Sequence, residues 1–405
     1  RQNDVHPEFL FGQRSASSSL RTLRFTITKV IPDQGIGRFG LRANQRIPLN
    51  AFAPLPILQS ALDQSGKVNT IFLANSATTT GSAPYMSQDA LQHVLKLGDL
   101  GLRFERREGY LSLESPQFLL NPHIVTAAKA LARENSISIT TIMTYLANEI
   151  STGKKNLPYS TITALGLPAH MLMTERLQPR GQVALQIAGL ADSEILLNSW
   201  AAEDLNAEVG DLIEVSYYVA GDRNMLLTKR AQFGLKGVVP MQGLARDREL
   251  TPEFHELFDS NDISSWNATF PLEMNRIRSK DERYWDEFGA TPKAFISPSS
   301  AQRLWGTRFG VLSAIRFHST TNMSTQAIEA ILHARLPALL SPEHVGFRFH
   351  SVMAQGLDAS SGTTDFSMLF GGFSIFLIGS ALLLVGLLFK LGVDQRASEI
   401  GLLLT

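Results

Sequence analysis

Apolar residues recur along this chain in three rhythms, and each predicts a different element. From Leu23 to Val30 (LRFTITKV) they alternate with polar ones, the period of a half-buried strand, and the run ends at Pro32, which has no N–H to give to a ladder. Ser136–Leu146, Glu194–Leu197 and Leu212–Val219 (LIEVSYYV) are rich in β-branched, aromatic and other apolar residues and also predict strands, the last stopped by the turn signal Ala220-Gly221-Asp222. Elsewhere the spacing is helical. Leu120–Glu134 predicts a helix capped by Asn121, with Pro122 at its first position. Leu91, Val94 and Leu95 line one helical face behind Ser87, as Ile328, Ile331 and Leu332 do behind Ser324. In the third pattern polar interruption almost disappears: Phe366–Phe389 (FSMLFGGFSIFLIGSALLLVGLLF) carries no charge. At about 1.5 Å per residue this helix would be about 36 Å long, enough to cross a hydrocarbon core of about 30 Å with some tilt.

The patterns also repeat. Val30-Ile31-Pro32-Asp33-Gln34-Gly35-Ile36-Gly37-Arg38 returns as Val238-Val239-Pro240-Met241-Gln242-Gly243-Leu244-Ala245-Arg246. Phe52, Gln59 and Leu62 match Phe295, Gln302 and Trp305 in spacing, MSQDALQHVL from Met86 matches MSTQAIEAIL from Met323, and Gly101-Leu102-Arg103-Phe104 matches Gly346-Phe347-Arg348-Phe349. Because the matches keep one order, they predict two related α/β units, about 20–108 and 230–355, each closed by a strand at Leu102–Phe104 or Phe347–Phe349. The intervening 109–229 predicts an inserted, mostly β subdomain, and the polar stretch Arg246–Arg283 a surface excursion. The expected fold class is therefore α+β. A water-exposed domain, 1–364, holds the split α/β subdomain and its insertion; a transmembrane helix, 366–389, and a further segment, 390–405, follow.

Composition narrows the function. Lys+Arg and Asp+Glu are both 37, so the formal charge is zero, against nucleic acid as a partner. The absence of cysteine excludes disulfides, thiolate metal sites and cysteine nucleophiles. There is no phosphate-binding Gly-x-x-x-x-Gly-Lys-Ser/Thr loop, no His-Glu-x-x-His and no Gly-x-Ser-x-Gly, and the nine histidines form no ligand spacing. We accordingly assign no catalytic, metal or cofactor residue and expect a protein that is not an enzyme. His255-Glu256 reads as a solvated pair and Trp200, Trp266, Trp285 and Trp305 as packing residues. Arg276–Asp286 (RIRSKDERYWD) reads as a salt-bridged surface, or more sharply as a recognition surface.

The apolar helix carries Gly371, Gly372, Gly379, Ser380 and Gly386, with the glycines at about seven-residue spacing, which predicts a face packed on another helix. Asp358 and Asp365 precede it, while Lys390 and Arg396 follow, so the positive-inside rule puts 1–364 outside and the end of the chain in the cytoplasm. The chain opens on Arg1 and stops inside an amphipathic pattern, in which Ala397, Ile400 and Leu403/Leu404 share a face beside Arg396 and Glu399. We read it as part of a longer membrane protein.

A membrane helix running into Gln395-Arg396-Ala397-Ser398-Glu399-Ile400-Gly401-Leu402 resembles the FtsX-like permease family, which includes the MacB and LolC/LolE types. The phrases Thr144-Tyr145-Leu146-Ala147-Asn148, Pro158-Tyr159-Ser160, Tyr284-Trp285 and Thr291-Pro292-Lys293-Ala294-Phe295 are similar to its large extracytoplasmic domain. The resemblance implies the permease subunit of an ABC transporter of the mechanotransmission type in the cell (inner) membrane. Its partners would be a cytoplasmic ABC ATPase subunit on a separate chain, the lipid membrane and a second permease copy. Residues 390–405 would begin the cytoplasmic coupling segment, with Arg396, Glu399, Ile400 and Gly401 at the ATPase. The alternative is a membrane-anchored extracytoplasmic sensor or scaffold without transport activity.

Overall fold

One long strand organises most of this α+β chain. The computed structural model describes residues 23–41, 48–62, 64–73, 91–92, 94–169, 171–172, 182–220, 226–251, 273–320, 323–347, 349–361 and 366–403. Among them the strands are β1 (Arg103–Arg107), β2 (Tyr110–Glu114), β3 (Ser138–Ser151), β4 (Asn156–Gly166), β5 (Glu194–Asn198), β6 (Leu212–Ala220), β7 (Leu226–Val239), β8 (Ala294–Ile296) and β9 (Ala314–His318). The α-helices are α1 (Leu55–Ala61), α2 (Pro122–Glu134), α3 (Gln182–Ala188), α4 (Ser199–Leu205), α5 (Ser279–Phe288), α6 (Pro298–Trp305), α7 (Thr325–Arg335), α8 (Val352–Ser361) and α9 (Phe366–Leu403). Two compact units contain them: Arg1–Leu23 with Val68–Arg348, and Arg24–Lys67 with Phe349–Thr405.

In the first unit β3 uses one edge twice. Ser138–Ile142 pairs with β9 and Glu149–Ser151 with β6, while the other edge pairs with β4. The contact with β6 closes β3-β4-β8-β5-β7-β6 into a ring, and β9, β2 and β1 continue the sheet from the first half of β3. Side chains then sort by the two-residue alternation of strands. All six ring strands feed one core, through Met143, Ile162, Ile296, Ile195, Phe233 and Ile213 among others, joined by Trp305 of α6. Neighbours of opposite parity, such as Leu196 and Phe295, pack instead with Val183 and Ile187 of α3. A third core lies where β2 and β9, through Leu111, Leu113, Ile315 and Phe317, meet α2 and α7.

Several of the expected elements are present. β3, β5 and β6 cover the runs predicted from their β-forming residues. Asn121 caps α2 by accepting from the His123 N–H at 2.9 Å, and Ser324 caps α7 by accepting from Ala327 N–H at 3.2 Å. The helix expected behind Ser87 lies largely outside the described residues, although Leu91, Gln92 and Val94 are helical. Other expectations need correction. Leu23–Val30 is not a strand, and neither Phe347 nor Phe349 belongs to one. Nor do the strands of 109–229 make a sheet of their own, because β8 lies between β4 and β5, and β9 between β2 and β3. His255, Glu256 and Trp266 lie outside the described residues.

The two stretches matched by sequence share some local backbone features. Gly35 and Gly243 open matching turns at φ 56° and 54°, after Gln34 and Gln242, whose N–H groups each donate to a proline carbonyl at 2.7 Å. α1 and α6 occupy equivalent places, and Gly101 and Gly346 both end short 3₁₀ turns in the left-handed conformation. Burial is where the copies part. Phe295 is fully buried, yet its counterpart Phe52 is 52% exposed; Phe233 is buried and Phe25, its equivalent before the turn, is half exposed. β7 lies between β5 and β6, whereas Leu23–Val30 has no ladder among the described residues. Phe295→Ala should therefore cost about 3–5 kcal/mol and Phe52→Ala about 0.5 kcal/mol or less in denaturant titrations. Equal losses would mean that Phe52 is buried as its counterpart is.

Candidate functional site

Two places collect the residues singled out by sequence. The first is α9, a single helix of 38 residues from Phe366 to Leu403. Its Phe366–Ala397 portion, in which an 18-residue window has mean hydropathy 2.4, is the one described helix long and apolar enough to cross a membrane. The expected boundary between 366–389 and 390–405 is not a break: the helix passes through Gly392, since a lone glycine costs only about 1 kcal/mol and no proline follows. At about 100° per residue Gly372, Gly379 and Gly386 fall within about 40° of one another, with Gly371 and Ser380 to either side. Ser380 turns its hydroxyl back to donate to the Phe376 carbonyl at 2.8 Å. Apart from each glycine's chain neighbours and the helix's own backbone, no atom of the described residues lies within 4 Å of where a Cβ would sit on Gly371, Gly372, Gly379 or Gly386. Arg396, Glu399, Ile400 and Gly401 continue on this same helix, and Arg396 is exposed.

The second place is where the ring meets α4 and α5, and here the four quoted phrases converge. Asn198 caps α4 by accepting from Ala201 N–H at 2.7 Å, and its amide donates to the Tyr284 hydroxyl and the Pro292 carbonyl, both at 3.0 Å. Lys293 is tied to both neighbours of β8: its N–H donates to Thr161 O at 2.9 Å, and its carbonyl accepts from Asn198 N–H at 3.0 Å. These bonds fix the lysine beneath two rings. Its Nζ lies 4.7 Å from the Trp200 ring centre and 4.8 Å from that of Tyr284, within cation–π range. The side chain is only 7% exposed.

The carboxylate facing this ammonium is already engaged. Asp281, in the first turn of α5, accepts from Arg278 Nε at 2.7 Å, from Arg278 Nη2 at 2.7 Å and from Arg278 N at 3.0 Å. Asp281 Oδ1 is 3.9 Å from Lys293 Nζ, too far for a hydrogen bond. Arg278 Nη2 also donates to Asp204 at 2.7 Å, and Lys280 pairs with the same carboxylate. Lys293 and Asp281 line a cavity of ≈ 20 Å³ with Tyr159, Ile277, Trp285 and Thr291.

Burial shifts the titrations. Removal from water lowers Lys293 from 10.5 to about 8; Asp281 opposes this, and the charges of Arg278 and Lys280 add to it. Burial pushes Asp281 upward, but the Arg278 hydrogen bonds and the Lys293 charge outweigh it and leave the carboxyl below its usual range. Burial raises Tyr284 to about 12, against its hydrogen bonds with Thr291 and Asn198.

Sequence reading quoted Thr291–Phe295 and Tyr284-Trp285 but named neither Lys293 nor Asp281 as a site. The available signal was a lysine abutting Ala294-Phe295-Ile296, a wholly apolar strand. Arg276–Asp286 is ion-paired, as expected of a salt-bridged surface, through Arg276–Glu149, Arg278–Asp204 and Lys280–Asp204. It also turns inward, for Asp281 and Tyr284 are buried. Trp305 is a packing residue, stacked on Tyr145 with ring centres 4.9 Å apart.

No family model matches the chain, and no curated protein is similar to it. Among solved structures, the periplasmic region of MacB from Actinobacillus actinomycetemcomitans is 12% identical, over 60% of this chain and 86% of that one, with a TM-score of 0.28. A likeness of that size carries no argument about function.

The Lys293 shift has a consequence for stability. The unfolded chain holds this proton up to about 10.5 and the folded chain releases it near 8. The unfolded state therefore binds more protons in that window, and stability rises with pH across it. Tyr284 and Tyr110, both raised to about 12, act in the opposite sense above pH 10. Lys293→Met should flatten the rise between pH 7 and 10 by on the order of 2 kcal/mol in urea titrations. Coincident profiles would place the ammonium in water.

Proposed function

We propose that this chain is a membrane-anchored, non-catalytic permease subunit of an ABC transporter of the mechanotransmission type. In this reading 1–364 lies outside the membrane, and ATP is hydrolysed by a separate cytoplasmic subunit. The observation that carries it is the continuity of α9 from the apolar span into Arg396-Ala397-Ser398-Glu399-Ile400-Gly401. A helix of this length extends about 57 Å, more than the thickness of a hydrocarbon core. Displacement of its cytoplasmic end by an ATPase would be transmitted as a lever movement, with no flexible joint to absorb it. The glycine face of Gly372, Gly379 and Gly386 would pack on a further membrane helix or a second permease copy.

Two tests follow from the complete membrane protein purified with its ATPase. Glu399→Lys combined with Ile400→Asp flips a charge and removes an apolar docking residue at the cytoplasmic end. Complex formation should weaken at least tenfold and substrate-stimulated ATP hydrolysis should be lost, while thermal unfolding of the outer domain stays unchanged. Normal values for both would favour the sensor or scaffold reading. Gly379→Leu should leave membrane insertion intact, leucine being fully lipid-soluble, and reduce crosslinking between permease helices. Unaltered crosslinking would turn that face toward lipid.

A further inference from the structure

We propose that the cleft beside Lys293 binds one small monovalent anion, either a halide or the carboxylate head of an organic acid, held by the Lys293 ammonium. The ammonium carries three N–H donors, and no described residue accepts a hydrogen bond from it; its neighbours are two ring faces and a carboxylate 3.9 Å away. Buried polar groups almost always find a hydrogen-bond partner; none of the described residues supplies an acceptor here, and the cleft is where one can reach the ammonium. Asp281 is not that acceptor, because its nearer oxygen lies 3.9 Å from the ammonium, beyond hydrogen-bond reach.

Charge and size define the ligand. Arg278 and Lys280, both partly exposed, share Asp204 and Asp281, which leaves the buried Lys293 ammonium only the longer contact to Asp281 at 3.9 Å. A cavity of ≈ 20 Å³ has room for a particle of roughly water size, since a single water needs about 10–15 Å³ by the same measure. This favours a halide or a carboxylate oxygen over a tetrahedral dianion. Leu146, Pro158, Ile277 and Trp285 supply apolar walls beside the charged end, suited to a short hydrocarbon stub. The inference does not depend on the transporter reading.

Anion binding here requires the protonated amine. Asp281, Tyr284, Arg278 and Lys280 from α5 and its first turn face Lys293 with Asp204 from α4. Of the groups in direct contact, Asp281 is held below its usual range and Tyr284 titrates near 12, so Lys293 carries the change above pH 8. Affinity should accordingly fall about tenfold per pH unit above 8.

The test titrates the full chain in detergent with sodium chloride or sodium acetate at pH 7, sodium sulfate holding ionic strength constant. Trp200 and Trp285 flank the site, so tryptophan emission reports occupancy, and thermal unfolding gives a second reading. Saturable responses to chloride, acetate or both are expected, absent in Lys293→Met and weakened about a hundredfold in wild type at pH 10. A response to chloride alone assigns a halide site and one to acetate alone a carboxylate site. The wild-type pH series keeps the test decisive if the variant fails to fold. No saturable response, or one unchanged by both Lys293→Met and pH 10, would overturn the proposal and leave the cleft to water.

Discussion

The fold depends on β3 having two partners along one edge. β9 is five residues long and covers only Ser138–Ile142, which leaves Glu149–Ser151 on the same edge free for β6. Between these two stretches the β3–β4 ladder skips one pair, between Ala147↔Ser160 and Glu149↔Pro158, where Tyr159 adopts φ 38° and Pro158 has no N–H to donate. Beyond the interruption, β3 reaches β6, and Tyr145 reinforces the junction by donating to the Tyr218 carbonyl at 2.5 Å while stacking on Trp305. Closure removes the free edges that β3 and β6 would otherwise present there.

Closure also explains why a charged group sits in the wall of an apolar ring. β8 is three residues long, and it is held between β4 and β5 by few ladder bonds. Its entry into the sheet is fixed by side chains instead: Asn198 and Thr161 clasp the backbone from Ala290 to Lys293. Seated in this way, Lys293 lines the cleft with Asp281 and Thr291. The aromatic faces of Trp200 and Tyr284 offset part of the desolvation, while burial still lowers the titration of the lysine.

What was legible in the sequence was local. Caps, the strand runs at 136–146 and 212–219 and the charge-free run at 366–389 are set by a few neighbouring residues, so Asn121, Ser324 and α9 are found where the pattern puts them. β4 was missed because Pro158 inside it argues against a strand, and β8 because three apolar residues match no period. The sheet order was out of reach for the same reason that 109–229 looked separable: which strands become neighbours is decided by closure, not by any segment alone. The Lys293 cluster shares that obscurity. Its partners Thr161, Asn198 and Asp281 lie far apart in the chain and become neighbours only when β8 is seated.

The two copies of the repeat make the distinction between local and tertiary information concrete. The turns at Gly35 and Gly243 have nearly identical backbones, so nine residues suffice to specify them wherever they occur. Leu23, Phe25 and Ile27 preserve the alternation that buries Phe233 and Leu235 in β7, yet they remain exposed. Pattern thus encodes which face of a segment is apolar, while burial of that face requires a ladder on either side of it. β7 has β5 and β6 because the ring needs it to close, whereas Leu23–Val30 has no ladder among the described residues. The same local structure can therefore occur twice while, among the described residues, only one copy buries its apolar face in the core.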